Sequence, residues 1–107
     1  MLFKTLKNRD FKEAYSSGKR INGKFFTIVV LSAEEILWGI SISKKHGNAV
    51  ARNKLRRRIK EIVGFVGAKL STGAKVVVVP RIGATEAVYS DARDDLLLVL
   101  RKAHLVG

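Results

Sequence analysis

The chain has 107 residues, 47% of them hydrophobic, which predicts one small domain (residues 1–107) with a real core rather than a disordered polypeptide. Its 21 Lys and Arg against 9 Asp and Glu leave a formal net charge of +12, an excess that favours a polyanionic partner. The absence of cysteine excludes disulfides and thiolate metal sites, and no apolar run approaches the length of a membrane span. We therefore expect a basic cytoplasmic protein that binds nucleic acid, with an anionic membrane surface as the second choice.

Residues 8 to 18 predict a short first helix. Asn8 is a suitable N-cap, Phe11 and Tyr15 have helical spacing, and Gly18 is placed to end the helix in the left-handed conformation. The simplest interpretation of Phe11 and Tyr15 is a core stripe. The functional alternative is that one or both rings stack on bases or sugars.

Two apolar segments follow, and both predict strands. Residues 25 to 31 (FFTIVVL) are rich in β-branched and aromatic side chains, which is typical of a central strand. Ile36 to Ser43 alternates over its second half, so that Ser41 and Ser43 project from the face opposite the core. The two hydroxyls are either ordinary exposed strand residues or phosphate contacts, because they lead directly into Lys44 and Lys45.

The segment from 41 to 60 (SISKKHGNAVARNKLRRRIK) carries eight of the 21 basic residues and no acidic one. Gly47 and Asn48 predict a tight turn and an N-cap, after which a helix begins. Its apolar residues fall within roughly 80° of one another on a helical wheel, and a separate arc is polar and basic. The apolar seam is Ala51, Leu55, Ile59, Ile62 and Val66, and the basic arc is Arg52, Asn53, Arg56, Arg57 and Lys60. Arg58 lies on the other side of the seam, where only its aliphatic stem is expected to pack.

An ordinary solvated helix face interleaves acidic with basic residues, so that i,i+4 pairs form. Here no acid occurs before Glu61, so neighbouring guanidinium groups repel one another in the absence of a polyanion. The backbone N–H groups at Gly47 and Asn48, backed by Lys44 and Lys45, also form a natural phosphate seat. The segment therefore predicts a nucleic-acid-binding helix.

The last third of the chain predicts a strand and a helix. Lys75 to Val79 is a buried type of strand closed by Pro80, and a strand, a long helix and another strand make a βαβ unit with parallel neighbours. Ser90 or Asp91 can cap the final helix. The acidic cluster Asp91, Asp94 and Asp95 is explained by the helix dipole more simply than by a bound cation.

No catalytic constellation is visible in the sequence. His46 and His104 are far apart, and neither has the spacing of a metal ligand. We therefore predict no catalytic residue and no metal site in the protein, and an independent hydrolase is disfavoured because no acid–base pair is present.

Residues 43 to 57 (SKKHGNAVARNKLRR) resemble the signature SKK-x-GNAV-x-RN-x-x-(K/R)R of the bacterial ribonuclease P protein subunit. The family's Arg-Asn-Arg motif is present as Arg52-Asn53-Lys54, a departure that keeps the charge. The resemblance also includes Asp10-Phe11, Tyr15 and Gly18-Lys19-Arg20 near the start, together with the closing strand-Pro-Arg and the Leu-rich last helix. It thus extends over essentially the whole chain.

The resemblance implies an α+β fold. In the family this is a single-domain α/β sandwich similar to domain 2 of ribosomal protein S5, in the order αβββαβα, with a left-handed βαβ crossover where a right-handed one is the general rule. It also implies a protein cofactor of a catalytic RNA. That RNA carries the active site and Mg²⁺, and the holoenzyme removes the 5′ leader of precursor tRNA.

The resemblance further implies two RNA surfaces. The residues expected to contact the catalytic RNA are Lys44, Lys45, Asn48, Arg52, Asn53, Lys54, Arg56, Arg57 and Lys60. Those expected to line a cleft for the single-stranded leader are Phe11, Tyr15, Ser41, Ser43 and Lys45. Val29 stands where the family often has an aromatic residue, and Arg58 where an apolar residue is common.

The expected partners are the catalytic RNA and precursor tRNA, without a membrane or an obligate protein partner. The alternative is a structural RNA-binding protein of ribosomal type, which the same charge and fold would serve. A membrane-surface protein is disfavoured, since the basic helix lacks bulky aromatic residues facing away from its own core.

Overall fold

The computed structural model describes residues 4–106 as a mixed α+β domain. The strands are β1 (Lys4–Thr5), β2 (Lys19–Asn22), β3 (Phe26–Ser32), β4 (Ile36–Ile40) and β5 (Ala74–Pro80). The helices are α1 (Asn8–Ser17), α2 (Ala49–Val66) and α3 (Tyr89–Lys102), and short 3-10 turns span Lys44–His46 and Gly67–Lys69. After β1 the order is αβββαβα, as the resemblance implied. The two-residue β1 is an addition that no sequence pattern indicated.

The strands form one sheet in the order β1-β4-β5-β3-β2. β5 lies at its centre, parallel to β4 and antiparallel to β3, which confirms the predicted parallel pair. This position explains the run of valines, because Val76, Val77 and Val78 are all fully buried, on alternating faces of the sheet.

Helices cover both faces of the sheet. α1 lies on one face, where Ala14 packs with Leu6, Val29 and Val77. α2 and α3 lie on the other face, and the larger core there includes Trp38, Ile59, Ile62, Leu96 and Leu100. The predicted seam of α2 faces this core, with Leu55, Ile59, Ile62 and Val66 buried.

The crossover from β4 through α2 to β5 is left-handed. Trp38 points toward α2, and its carbonyl accepts a hydrogen bond from the Leu6 amide on the β1 side. Seen from α2 with β4 running upward, an L-residue whose side chain faces the viewer directs its carbonyl to the right. β1 is therefore on the right of β4, and β5 is on the left, where the Ser41 amide meets the Val78 carbonyl. Because the chain returns through α2 to a strand on the left of β4, the crossover is left-handed, whereas nearly all βαβ units are right-handed.

The expected caps at the start of α1 and α3 are wrong, whereas Gly18 ends α1 as expected but not in the left-handed conformation. Asn8 is the first residue of α1 rather than its cap, because the Asp10 carboxylate accepts the Lys7 amide at 2.9 Å and closes that end. Gly18 follows α1 in an extended conformation (φ −79°), and a Cβ there would lie 2.4 Å from the Ala14 carbonyl oxygen, so close approach selects glycine. α3 begins at Tyr89, one residue before the earlier of the two expected caps.

Asp95 has a tertiary role that the helix-dipole explanation missed. Its buried carboxylate accepts the backbone amides of Lys24, Phe25 and Phe26 at 2.8, 2.9 and 3.0 Å. A Cβ on Gly23 would lie 2.7 Å from the same carboxylate. Asp95 thus joins α3 to the turn between β2 and β3 and offers nothing to a cation.

Candidate nucleic-acid interface

Asn48 caps α2 as the sequence indicated. Its side-chain oxygen accepts the Ala51 amide at 2.9 Å. Gly47 precedes it with φ 104°, in the left-handed region that favours glycine. The 3-10 turn of Lys44–His46 leads into Gly47, so two lysines and a histidine are held beside the positive end of a long helix.

The basic residues of α2 are divided between two flanks. One flank, beside β4, carries Arg52, Arg56 and Lys60. Ile42 lies beside Arg52 and Arg56, and Ile40 lies beside Arg56 and Lys60. Lys54 and Arg58 occupy the opposite flank, beside the segment that precedes α3. Asn53 and Arg57 lie between the flanks and are exposed. The sequence had placed Arg58 across the seam from the basic arc, and the structure confirms this placement. Helical spacing alone did not show which elements stand on each side.

Arg58 is a structural residue, and its head group rather than its stem decides its role. One guanidinium nitrogen donates to the Ala87 carbonyl at 2.6 Å and to the Ala84 carbonyl at 3.4 Å. These contacts fasten residues 84–87 to α2. The expectation that only the aliphatic stem packs is therefore corrected.

The predicted RNA surfaces meet at the free edge of β4, in a depression of about 190 Å³ that we name the edge depression. Phe11 stands on one side of it, and Arg56 and Lys60 of α2 stand on the other. The depression exists because β1 is short: β1 pairs with Leu37 and Trp38, and no strand of residues 4–106 lies beside Ile40 on that side. An aromatic ring and two cations are thus brought together by the edge of the sheet.

A second groove lies at the carboxyl end of β5, and we name it the terminal groove. It has a volume of about 430 Å³, and its polar lining is Lys24, Ser43, Lys45, His46 and Arg81. Lys24 and Arg81 were missed by sequence analysis. Lys24 lies far from the basic segment in the chain, and its proximity follows from the antiparallel pairing of β3 with β5. The guanidinium of Arg81 donates to the Gly23 carbonyl at 2.6 Å, so this part of the groove is preformed.

Phe11 and Tyr15 lie on one edge of α1, opposite the edge that carries Glu13. Glu13 and Asp10 face Lys75 near the start of β5, so the two rings face the other end of that strand. Phe11 is half-buried and contacts Gly39, where a Cβ would lie 2.5 Å from the ring. Tyr15 is 46% exposed. Phe11 therefore belongs partly to the core, while Tyr15 is free to stack.

The two serines separate at the end of β4. The strand ends at Ile40, so the predicted Ser43 boundary is too long. Ser41 is half-buried and still donates its amide to the Val78 carbonyl at 3.0 Å, whereas Ser43 is exposed and lines the terminal groove with Lys45. Val29 is only 2% exposed beneath α1, so it is a packing residue and offers no ring-sized surface.

An ion pair holds α1 over the sheet. The Lys75 ammonium lies 2.8 Å from an Asp10 oxygen and 3.7 Å from Glu13. The Lys75 hydrogen bond holds the pKa of Asp10 below its ordinary value, and the Lys7 amide acts in the same direction. The same contact raises the pKa of Lys75. Lys75 is thus committed to α1 and is not a cation offered to a ligand.

The α2 cations, by contrast, form no ion pair with any residue between 4 and 106. Within the described residues, the Arg52 side chain makes a single hydrogen bond, from Nε to the Asn48 carbonyl at 3.4 Å. Within the same described range, no group of three or more His, Asp or Glu side chains is arranged to hold a metal ion. No helix of the described residues is long and apolar enough to cross a membrane. Because the α2 cations have no carboxylate partner among the described residues, the interface is suited to binding anions, and its exposed rings are suited to stacking.

Comparisons with known proteins agree with this geometry. The family model for ribonuclease P matches residues 4–104. The ribonuclease P protein component of Finegoldia magna is 33% identical over 97 residues, covering 90% of this chain and 86% of its own. That of Alkaliphilus metalliredigens is 30% identical over 106 residues, covering 97% and 96%.

Solved structures show the same fold. The ribonuclease P protein of Staphylococcus aureus superimposes with a TM-score of 0.85 at 27% identity, covering the whole of both chains. The protein from Thermotoga maritima gives 0.81 at 28% identity, covering 92% of this chain and 96% of its own.

The fold and the interface define a small basic RNA-binding protein of a ribonucleoprotein. The family match extends over nearly the whole chain and includes both the cap of α2 and its basic flanks. The chain belongs to the ribonuclease P protein family, whose members take part in tRNA processing.

Proposed function

We propose that the protein binds the catalytic RNA of ribonuclease P through α2 and the 5′ leader of precursor tRNA through the α1 face of the sheet. The observation that carries the proposal is the edge depression, where Phe11 of the leader surface meets Arg56 and Lys60 of the helix surface. An RNA strand that leaves one surface at this depression meets the other directly, because both border the same opening. The chemical step and its Mg²⁺ are assigned to the RNA subunit, acting in the cytoplasm.

The chemistry of the two surfaces supports this division of roles. The flank formed by Arg52, Arg56 and Lys60 presents one cation per helical turn, which suits successive phosphates of a folded RNA. The α1 face presents a half-buried ring and an exposed one, which suits unstacked bases of a single strand. Lys24, Lys45 and Arg81 extend the leader surface with phosphate contacts at the terminal groove.

The decisive experiment is reconstitution with a bacterial ribonuclease P RNA at low Mg²⁺, scored for removal of the leader. We expect the protein to stimulate cleavage of precursor tRNA that the RNA alone performs poorly under these conditions. If the protein bound structured RNA but gave no stimulation, a structural RNA-binding role would replace the proposal.

The leader surface is tested separately by comparing leader-bearing with leaderless substrate. Tyr15→Ala is preferred over Phe11→Ala, because Phe11 also packs against the buried residues beneath α1. Loss of one stacked base weakens binding by about 5- to 100-fold. We expect that loss for leader-bearing substrate only, with Tyr15→Phe close to the parent. An unchanged affinity ratio in both Tyr15→Ala and Phe11→Ala would remove these rings from the leader site.

A further inference from the structure

The flank of α2 that faces α3 carries two adjoining depressions, whose apolar and aromatic lining belongs to neither predicted RNA surface. The first, of about 270 Å³, lies between α2 and the segment that precedes α3, with Ala51, Leu55 and Thr85 around it. The second, of about 310 Å³, lies beside Arg57 and Tyr89. Lys54 and Arg58 border both. A largely apolar recess thus opens beside an aromatic ring under a rim of cations.

We infer that this place, which we name the α3-side seat, receives one unstacked nucleotide of the RNA that α2 binds. The inference deepens the proposed function and rests on it. The base is placed where the recess beside Thr85 adjoins the second depression, against Tyr89. Its phosphate is placed between Lys54 and Arg57.

The electrostatics of the seat favour an anionic occupant with a flat apolar part. Lys54 and Arg57 are exposed, and neither forms an ion pair with a described residue. Glu61 stands at the far end of the second depression, which places the phosphate at the Lys54 end and away from that carboxylate. Tyr89 is 37% exposed, so its ring is available to stack on a base. Its backbone is fixed, because Tyr89 is the first residue of α3.

The seat is preformed by Arg58. Its guanidinium holds the carbonyls of Ala84 and Ala87 against α2, and Thr85 lies between them. Preorganisation of this wall means that an arriving base does not have to order the segment.

The first test measures affinity for a bacterial ribonuclease P RNA across a salt series. Tyr89→Ala is expected to weaken binding about 5- to 100-fold without changing the salt slope, because stacking neutralises no phosphate. Tyr89→Phe is expected to stay within about twofold of the parent, since the ring is kept. Lys54→Ala is expected to lower the slope by about one. Lys102→Ala, a matched loss of one exposed lysine on α3, is the control and is expected to match the parent in affinity and slope.

The second test uses the absence of cysteine from the chain, which makes any introduced thiol unique. Thr85→Cys, carrying a short photo-cross-linker, is expected to join to one or two unpaired nucleotides of the RNA. Adding Tyr89→Ala should abolish that cross-link. Ser71→Cys, exposed in the segment before β5, is the matched position and is expected not to mark the same nucleotides.

The outcomes separate this inference from the proposed function. If all variants stimulate leader removal and bind RNA like the parent, the α3-side seat is overturned while the function stands. A cross-link from Thr85→Cys to paired nucleotides alone would also overturn it. If the parent protein itself neither binds the RNA nor stimulates cleavage, the proposed function fails first.

Discussion

The β4-side flank of α2 yields the most quantitative prediction. Arg52 and Arg56 are one helical turn apart, about 6 Å along the axis, so we expect each to contact a different phosphate. The double variant Arg52→Ala with Arg56→Ala removes two such contacts. Neither side chain is engaged by a carboxylate of the described residues, so its charge is available to RNA in the wild-type protein.

Each phosphate contact contributes about 0.7 to 0.9 to the slope of log affinity against log salt, so the double variant should lower the slope by about 1.4 to 1.8. A rise from about 50 to 200 mM salt is about 0.6 log units. The wild-type affinity should therefore fall about 7- to 12-fold more than that of the variant over this range.

The assay is filter binding or fluorescence anisotropy with a bacterial ribonuclease P RNA at four or more salt concentrations. Arg101→Ala with Lys102→Ala removes the same net charge from exposed positions at the end of α3 and serves as the control. If the α2 variant and the control gave the same slope, charge reduction in general would explain the loss. The assignment of phosphate contacts to α2 would then be refuted.

Three further predictions concern the contacts that hold the interface in place. Asp95→Asn should lower the free energy of unfolding, measured by urea titration, by about 3 kcal/mol, because its carboxylate accepts three backbone amides. Asp94→Asn, at an exposed site, is the control and should change the free energy of unfolding by less than about 0.5 kcal/mol. Equal effects of the two substitutions would contradict the buried role of Asp95. The stability that Asp10 contributes should be complete above its unfolded-state pKa and lost as pH falls through its lower folded-state pKa. The gap in urea midpoint between the parent and Asp10→Asn should therefore close on acidification from about pH 5 to about pH 2, and a constant gap would exclude the ion pair as its cause. Arg58→Met should lower the free energy of unfolding by about 1–2 kcal/mol, because its hydrogen bonds to two backbone carbonyls are lost. Arg57→Met should leave the free energy of unfolding unchanged and weaken RNA binding. The opposite result would make Arg57 the structural residue and Arg58 the RNA contact.

Local patterns in the chain predicted the elements that depend on neighbours in sequence. Asn48 caps α2 because the acceptor and the Ala51 amide are three residues apart, and Leu55, Ile59, Ile62 and Val66 of the apolar seam are buried because they recur at helical spacing. The alternation before Lys44 likewise placed Ile40 and Ile42 against the core. The starts of the helices were predicted less well: Asn8 and Ser90 were expected to be caps but lie inside their helices, while Gly18 ends α1 in an extended conformation rather than a left-handed one.

Residues distant in sequence were beyond such reasoning. The aspartates near the start of α3 looked alike, yet only Asp95 reaches the turn between β2 and β3. Lys24 and Arg81 join Lys45 in the terminal groove because strands that are far apart in the chain are neighbours in the sheet. Helical spacing grouped the cations of α2 without showing that β4 stands on one flank and α3 on the other.

The sequence by itself determined the kind of protein: its charge favours a polyanionic partner, and its signature from 43 to 57 identifies the family. Only the tertiary structure decided where that charge is used. The left-handed crossover places α2 so that one flank borders the free edge of β4 and Phe11, while the other is fastened by Arg58 to the segment before α3. The reason is physical: composition and periodicity report on what each residue prefers, whereas the meeting of two surfaces depends on which strands pair and on which side the chain returns.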